Sequence, residues 1–329
     1  MTAPAPNDLG RPAPRLKDSA ELVEFAALVG DSGPISIVGS ATTGPHGAGR
    51  IVGAPVGLVE LRVDEMTVRC RAGTMVADLQ ETLAEAGQRV ALPASGGTVG
   101  GALARGRSDV TRLGRGPVRD ALLEAIWVDH RGRLVASGGP TVKNVSGFDL
   151  VRLLVGSWGT LGPIAEVVLR TNPIPRASRW FSRPCDSPAE LSRIQRETYR
   201  PASLLWDGHT LWLLAEGHED DVARLEGSWS PEEESPPLPG PHRVSMAPTA
   251  SVEWMLARGS GATSRIAGAD AERAVGAVLE VGVGIVHSTH PIERPEMDTR
   301  LVALHQRVKN LFDPDGRFNP GVDVLTIGV

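Results

Sequence analysis

Apolar residues in the N-terminal part of the chain recur at helix and strand spacings. One face of a predicted helix over 18–29 is apolar and consists of Leu22, Phe25, Ala26 and Val29. Asp18 and Glu21 form a capping-box pattern at the start of this helix, and Gly30 follows its end. A short apolar strand over 35–38 then runs into a turn rich in glycine and hydroxyl residues.

Alternating and helical patterns continue to the middle of the chain. Val68, Cys70 and Ala72 alternate with arginines, as in a half-buried strand. Thr74 can cap a helix over 74–86, whose inward residues are Val76, Leu79 and Leu83. The remaining predicted elements of this half are a strand at 90–92, a hairpin of strands 122–128 and 133–136 with His130 in its turn, and a strand that ends near Leu169.

The second half of the chain has shorter and less regular patterns. Its predicted elements are a helix over 188–198, two strands within 203–215, a mobile acidic and proline-rich loop over 230–241, a helix over 270–279 and a strand over 281–286. A closing helix is predicted from the apolar stripe Leu301, Leu304, Val308 and Leu311.

Composition narrows the class of protein. The chain has 329 residues, 41% of them hydrophobic and 22% charged, which is typical of a globular protein with room for two domains. A net charge of −5 argues against nucleic acid or an anionic membrane surface as the main partner. Two cysteines are too few for a disulfide framework or a four-cysteine iron–sulfur cluster, so redox chemistry here needs an organic cofactor or a partner's metal.

The N-terminus is proline-rich without the apolar core of a signal peptide, and no apolar run is long enough to span a bilayer. We therefore expect a cytoplasmic protein without a membrane span.

The stretch over 141–162, TVKNVSGFDLVRLLVGSWGTLG, carries the strongest chemical signal in the sequence. Its short apolar helix is predicted to place Leu150, Leu153 and Leu154 on one side. Gly156, Gly159 and Gly162 then recur at every third residue before an apolar strand. Glycine lets a main chain approach a ligand closely, so this spacing predicts a surface of bare backbone that contacts a flat group.

This stretch closely resembles the motif of FAD-binding oxidoreductases of the vanillyl-alcohol-oxidase (PCMH-type) family. Within that family it is most similar to the small FAD-binding subunit of bacterial glycolate oxidase. The resemblance extends to GTVGG at 97–101, to PVRD at 117–120 and to the C-terminal motifs FDP at 312–314 and FNPG at 318–321. It implies an α+β fold, in which a PCMH-type FAD-binding domain of two α/β subdomains carries an α+β cap domain.

The resemblance also implies which residues contact FAD. The predicted cofactor-binding residues are Gly39, Ser40, Ala41, Thr42, Thr43, Gly96, Gly97, Thr98, Gly100, Gly101, Arg119, Asp120, Asn144, Gly147, Gly156, Gly159, Thr160, Gly162, Ile164 and Asn319. In the first turn Ser40 and Ala41 replace the consecutive glycines usual in the family, so a plain strand-exit turn is the alternative there. The second predicted flavin turn is the glycine-rich stretch over 95–104, and a generic glycine hinge is the alternative there. The first turn lacks the histidine that links FAD covalently in some relatives, and we expect non-covalent FAD.

Catalytic residues are less evident than cofactor residues. Oxidation of a 2-hydroxy acid by a flavin needs a base and a group that binds the carboxylate. His287 and His290, with Glu293, are candidates for a base or a metal site. We favour exposed loop positions over a metal site for them and predict no metal. Arg119 is the favoured member of an arginine-rich segment, because it lies within the PVRD motif.

The sequence therefore predicts an FAD-binding domain over 15–175, completed by a C-terminal return over 300–329, and a cap over 176–299. By resemblance, the chain would be a subunit that supports oxidation of a 2-hydroxy acid such as glycolate. A larger flavoprotein subunit and an iron–sulfur subunit would be its partners and could hold it at the inner face of the membrane. The alternatives are a stand-alone FAD-dependent dehydrogenase of another small alcohol or hydroxy acid, and a cofactor-free scaffold subunit.

Substitution of Gly159 by valine is predicted to abolish FAD retention, because a branched side chain would intrude where main chain must meet the cofactor. The flavin content of the purified variant measures this effect. Full flavin occupancy in the variant would show that the Gly159 turn does not form the FAD site.

Overall fold

The computed structural model describes residues 19–40, 49–94, 96–139, 150–236, 238–259, 276–292 and 297–325. The helices are α1 (Ala20–Val29), α2 (Val76–Glu85), α3 (Val99–Arg105), α4 (Arg112–Arg115), α5 (Val118–Ala121), α6 (Val151–Leu154), α7 (Pro188–Glu197), α8 (Glu219–Ala223), α9 (Pro248–Gly259) and α10 (Thr299–Phe312), with a 3-10 helix at Arg224–Gly227. The strands are β1 (Ile35–Val38), β2 (Arg50–Gly53), β3 (Leu58–Arg62), β4 (Thr67–Arg71), β5 (Gln88–Val90), β6 (Leu122–Val128), β7 (Leu134–Gly138), β8 (Ile164–Pro173), β9 (Ala177–Pro184), β10 (Ser203–Trp206), β11 (Thr210–Gly217), β12 (Ser230–Glu232), β13 (His242–Ser245), β14 (Ala277–Glu280) and β15 (Ile285–Ser288).

The described strands form three sheets. A small parallel pair joins β1 to β2, and a six-stranded sheet has the order β3-β4-β8-β6-β7 with β5 paired to the far end of β8. The seven-stranded sheet has the order β12-β9-β11-β10-β14-β15-β13 and lies wholly within the later part of the chain. This mixture of helices and sheets confirms the predicted α+β class.

Both faces of the six-stranded sheet are covered. One face packs on α2 and α3 through a core that includes Val68, Leu79 and Leu103, and the other packs on α1 and the β1–β2 pair. The prediction of a half-buried strand is therefore wrong for β4. Arg69 and Arg71 lie inside and are neutralised by carboxylates of neighbouring strands, since a buried cation must be paired.

The buried ion network ties α1 to the sheet. Arg69 Nη1 lies 2.8 Å from Glu124 Oε1 and 2.7 Å from Glu166 Oε1, and Arg71 Nη1 donates to the other oxygen of Glu166. Arg71 also donates to Glu21 at 3.0 Å, so Glu21 does not act in the predicted capping box. The helix begins at Ala20 after Ser19, whose hydroxyl makes no capping bond and instead accepts from Arg71 Nη2 at 2.9 Å. Asp18 lies outside the described residues.

Several other predicted elements are confirmed. The four predicted inward residues of α1 and the three of α2 are buried, and the β6–β7 hairpin, α7 and the β10–β11 pair form where expected. Two details of this first half differ. The Thr74 hydroxyl bonds Gly57 instead of capping α2, and β5 begins at Gln88 because it pairs with the extended end of β8.

Four predicted segments are wrong because tertiary contacts outweigh local patterns. In the short helix α6 the buried residues are Val151 and Leu154, and Leu150 and Leu153 are exposed. Part of the predicted 230–241 loop is the strand β12, which pairs with β9. The predicted helix over 270–279 ends in the strand β14, with 270–275 outside the described residues, and the next strand is shifted to Ile285–Ser288.

The closing helix α10 also differs from its prediction. Leu301, Leu304 and Leu311 are exposed, whereas Val308 and Phe312 pack on the first core. The helix is therefore rotated about its own axis, so that the face predicted from the leucine spacing points away from the core. Lys309 explains this orientation, since its ammonium reaches inward to donate to the carbonyl of Thr160 at 2.7 Å and to Asp313.

A C-terminal return beyond α10 packs beside β1. The guanidinium of Arg317 is buried and donates to five carbonyls, which belong to Val29, Gly30, Ser32, Gly33 and His130. The buried carboxylate of Asp313 accepts from the main-chain N–H groups of Arg317 and Phe318. Ile35 N donates to Arg317 O and Asn319 N donates to Ile35 O, both at 2.9 Å, so the return extends the β1 region.

The two large sheets are joined by a charged contact around Glu216 on β11. Arg89 on β5 binds its carboxylate through both terminal nitrogens, at 2.8 and 2.6 Å, and Arg115 on α4 adds a contact at 2.6 Å. Burial by itself would raise the pKa of Glu216, but the hydrogen bonds from Arg89 and Arg115 lower it below its ordinary value. The carboxylate therefore remains charged in the folded protein and connects the two sheets.

Glu216→Gln is expected to cost about 3 kcal/mol of unfolding free energy, because it leaves two arginines facing a neutral amide in a buried place. A carboxyl with a lowered pKa stabilises the fold above its unfolded-state pKa, and this stabilisation is lost as the pH falls through the folded-state pKa. The wild type should thus lose stability on acidification more steeply than the variant, measured by urea unfolding between neutral and acidic pH.

Glu226→Gln is a matched control, since the Arg179–Glu226 pair is half exposed. Exposed ion pairs contribute little to the free energy of unfolding, so this variant should unfold at nearly the same urea concentration as the wild type. Equal losses in the two variants would contradict the structural role of Glu216.

Candidate functional site

A cavity of about 510 Å³ lies between the glycine-bearing turns of the first half and the seven-stranded sheet. One wall is built from the ends of β1, α3 and β8 and from the C-terminal return. The opposite wall carries side chains from β13, β14 and β15. Such a cavity is in the size range of cofactor and ligand sites.

The first turn follows β1 and lines the cavity with Gly39 and Ser40. A Cβ on Gly39 would lie 2.6 Å from Thr98 Oγ1, so this turn is in contact with the second one. The main chain can approach this closely only without a side chain. Ala41, Thr42 and Thr43 lie outside the described residues.

The second turn contributes Gly96, Gly97, Thr98, Gly100 and Gly101 to the lining. It is the start of α3, and Thr98 caps that helix by accepting from Gly101 N at 3.1 Å. Both Gly96 and Gly97 have positive φ, +84° and +99°. Within the described part of the chain, no protein acceptor bonds to the N–H groups of these two glycines, which leaves them available to a ligand.

The third turn lines the cavity with Gly159, Gly162 and Ile164, and Asn319 of the C-terminal return joins them. Asn319 Oδ1 accepts from Ile37 N at 2.7 Å, and its Nδ2 donates to Trp158 O at 2.6 Å. A Cβ on Gly159 would lie 2.7 Å from Asn319 Nδ2. The asparagine therefore ties the first and third turns together.

Other predicted cofactor residues lie away from the cavity lining. Gly156 N donates to Leu103 O at 3.0 Å, and the Thr160 hydroxyl donates to Ser157 O at 2.7 Å, so both support the third turn from behind. Arg119 and Asp120 have exposed side chains on α5, and Arg119 Nε lies 3.8 Å from Asp120 Oδ1. Asn144 and Gly147 lie outside the described residues.

The opposite wall holds a charged cluster that the sequence analysis found only in part. His287 on β15 has its Nε2 2.7 Å from Glu280 Oε1 on β14, and both residues line the cavity. Arg243 on β13 lines it too and pairs directly with His287 in the sheet register. The sequence gives no sign of Glu280 or Arg243, because they meet His287 only when three separate segments pair as strands.

The electrostatics of this cluster favour an anionic ligand. Burial lowers the pKa of Arg243, the carboxylate of Glu280 opposes that shift, and the cations Arg107 and Arg112 add to it. Arg105 and Arg107 also line the cavity, and Arg105 Nε is buried with no hydrogen-bond partner among the described residues. An anion in the cavity would relieve this concentration of positive charge.

His290 does not belong to this cluster. It is exposed, its Nδ1 lies 2.9 Å from the Thr289 hydroxyl, and it does not line the cavity. Glu293 lies outside the described residues. Across the ranges that the structure describes, no three His, Cys, Asp or Glu side chains are arranged to hold a metal ion.

The residues present fit FAD. Its pyrophosphate is an anion that main-chain N–H groups in glycine turns bind well, and Gly96, Gly97 and the cations Arg105 and Arg107 supply this environment. Gly39, Gly159 and Asn319 would complete the wall that holds it. A cavity of this construction defines a protein that binds a dinucleotide cofactor.

Comparison with known proteins shows what the chain is similar to. Residues 16–138 match the family model described as FAD binding domain. Glycolate oxidase subunit GlcE of Escherichia coli (strain K12) is 33% identical over 173 residues, which is 50% of this chain and 49% of that protein. D-lactate dehydrogenase of Archaeoglobus fulgidus is 36% identical over 121 residues, 35% of this chain and 26% of that protein.

A solved structure of alkyldihydroxyacetonephosphate synthase has the same fold, with a TM-score of 0.62 and 15% identity over 92% of this chain and 75% of that one. The comparisons confirm the predicted resemblance to FAD-binding oxidoreductases, the fold and FAD as the cofactor. The chain spans about half the length of the Escherichia coli subunit and less of the lactate dehydrogenases. Of the helices described, none is both apolar and long enough to cross a bilayer.

The structure changes the reason for the Gly159 prediction. Gly159 has a φ of +71°, which disfavours any residue with a Cβ, and the added atom would displace the Asn319 amide before it met a cofactor. Gly159→Ala should therefore already reduce FAD affinity at least about tenfold, a loss of about 1.4 kcal/mol, when apo-protein is titrated with FAD.

Gly208→Ala is the control, because Gly208 also has positive φ but lies in the β10–β11 turn with open space around it. It should lose stability by backbone strain while keeping its affinity for FAD. If Gly159→Ala bound FAD as tightly as the wild type, the contact with Asn319 would not organise the site.

Proposed function

We propose that the chain is an FAD-binding oxidoreductase subunit that supports the oxidation of a small 2-hydroxy acid, such as glycolate, with electrons passing through FAD. The observation that carries this proposal is the cluster of His287, Glu280 and Arg243 facing the glycine-built wall of the cavity. The cluster offers a base and a carboxylate-binding cation in one place. The names of the relatives, a glycolate oxidase subunit and D-lactate dehydrogenases, support the same substrate class.

Arg243 would bind the substrate carboxylate, because a guanidinium presents a planar pair of donors to it. Arg243 lies opposite His287 in the sheet register, so a carboxylate bound there would have its adjacent hydroxyl near the imidazole. Holding the reacting groups in a fixed orientation lowers the activation barrier substantially, because the entropy of bringing them together has already been lost on binding.

His287 would accept the proton of the substrate hydroxyl. Its Nε2 is directed to Glu280, so Nδ1 is the nitrogen that remains for this proton. The carboxylate of Glu280 would orient the ring and stabilise the imidazolium that forms. When bound, FAD supplies the acceptor for the hydride that leaves the substrate carbon as its C–O bond becomes a carbonyl.

The proposed organisation follows the predicted domains. The FAD-binding part is 15–175 with the return over 300–329, and the cap is 176–299, which contains the seven-stranded sheet and the three charged residues. Arg119 and His290, the other catalytic candidates, lie outside the cavity and have no role in this mechanism.

A complex with a larger flavoprotein subunit and an iron–sulfur subunit is part of the proposal, with a cytoplasmic location and contact with the inner membrane face through those partners. Two cysteines, both buried and unpaired, leave the chain without a four-cysteine cluster of its own, so onward electron transfer calls for another protein. Co-purification from the native host supports this reading if an iron–sulfur protein accompanies the chain.

A second candidate is a dehydrogenase that turns over alone. The presence of a base and a carboxylate-binding arginine in this chain's own cavity favours it over a cofactor-free scaffold. Anaerobic mixing of the FAD-loaded chain with glycolate or D-lactate separates the two candidates. Bleaching of the flavin band without partner chains would favour the stand-alone enzyme.

His287→Gln is expected to slow flavin reduction by about 100-fold or more, the usual contribution of a general base, without changing flavin content. The measurement is stopped-flow absorbance of the flavin, made on the isolated chain or on the assembled complex, whichever is active. His209→Gln is the matched control, because His209 is an exposed turn residue bonded to Asp186. The proposal fails if His287→Gln reduces as fast as the wild type, or if no hydroxy acid reduces the flavin in either preparation.

A further inference from the structure

Trp158 is placed in the cavity wall at a conformational cost. It lies in the third turn with a φ of +53°, a left-handed conformation that is unfavourable for a bulky residue. Four non-glycine residues in the described part of the chain have positive φ, and two of them, Trp158 and Asn319, meet at this cavity. Such strain persists only where the surroundings impose it, and it is concentrated at binding sites.

Three elements hold this conformation. Trp158 N donates to Ala104 O at 2.8 Å at the end of α3, and Trp158 O accepts from Asn319 Nδ2 at 2.6 Å. Asn319 is in turn bonded to Ile37 N on β1. Segments from three distant parts of the chain therefore fix the main chain of one tryptophan.

The fixed indole is half-buried and lines the cavity. The guanidinium carbon of Arg105 lies 5.9 Å from the ring centroid, which places a cation over the indole. A tryptophan needed only for the core would be buried among apolar side chains. This one instead presents a flat aromatic surface, with a cation beside it, to the space that holds the cofactor.

We propose that Trp158 and Arg105 form a stacking platform for one of the two planar ring systems of FAD, either the isoalloxazine or the adenine. The proposal deepens the proposed function, since it rests on FAD in this cavity, and it does not depend on the substrate. The strain at Trp158 would then be the consequence of placing an aromatic ring where a glycine would suit the backbone better.

The test is a titration of the full-length apo-protein with FAD, followed by equilibrium dialysis and by flavin emission. Trp158→Asn removes the ring while tolerating positive φ, and it should bind FAD about tenfold more weakly than the wild type, the scale expected for an aromatic stacking contact. Trp158→Phe keeps a smaller ring, and its affinity for FAD should lie between those of the wild type and Trp158→Asn. Trp180→Asn is the control, because Trp180 on β9 lines a separate surface cleft.

Flavin emission distinguishes the two rings. If the isoalloxazine stacks on Trp158, FAD bound to Trp158→Phe will be brighter than FAD bound to the wild type, because indole quenches flavin strongly. If the adenine stacks there, emission will be unchanged and AMP will compete with FAD in the wild type but more weakly in Trp158→Asn. Either result supports the platform.

Unchanged affinity and unchanged emission in Trp158→Phe and Trp158→Asn, with folding verified by circular dichroism, would overturn the proposal. If Trp158→Asn does not fold, Trp158→Leu keeps the apolar volume without the ring and has the same expected loss. Since the readout is FAD binding, a failure of hydroxy-acid oxidation would leave this result intact, and a failure here would leave the roles of His287 and Arg243 untouched.

Discussion

The structure depends on close contacts that side chains of neighbouring segments make with the bare main chain of two glycines. The first turn meets the second at Gly39 and Thr98, and the third meets the C-terminal return at Gly159 and Asn319. In both places an added Cβ would lie less than 3 Å from its neighbour. The glycines are therefore required first by the contact of the protein with itself, and the bare backbone available to FAD is a consequence of that contact.

These contacts can form only if the C-terminal return is held in place. Arg317 does this by placing one buried guanidinium among five carbonyls, and the neighbouring Asp313 fixes the turn that leads to it. No carboxylate among the described residues pairs with this guanidinium, and the buried cation is tolerated because carbonyl dipoles surround it. The arrangement brings Asn319 to a strand that lies more than 280 positions earlier in the chain.

The two walls of the cavity have different chemistry because they arise from different sheets. The wall nearest the six-stranded sheet is mostly main chain and suits a cofactor whose shape is constant. The wall on the seven-stranded sheet presents charged side chains at neighbouring register positions, where single substitutions can change the ligand. Glu216, Arg89 and Arg115 join the two sheets, so this charged contact helps to set the relative position of the walls.

The sequence by itself determined the elements whose signals are local. The apolar faces of α1 and α2, the β6–β7 hairpin and the spaced glycines at 156–162 were all predictable, because periodicity and backbone freedom act over a few residues. The resemblance to FAD-binding oxidoreductases was also evident, since the motifs that carry it are contiguous. Tertiary structure decided the strand at Ala277–Glu280, the rotation of α10 and the meeting of Glu280, Arg243 and His287. These features depend on strand pairing and on contacts of charged groups such as Lys309 with Thr160. The energies of these interactions come from residues far apart in the chain, and no local pattern records them.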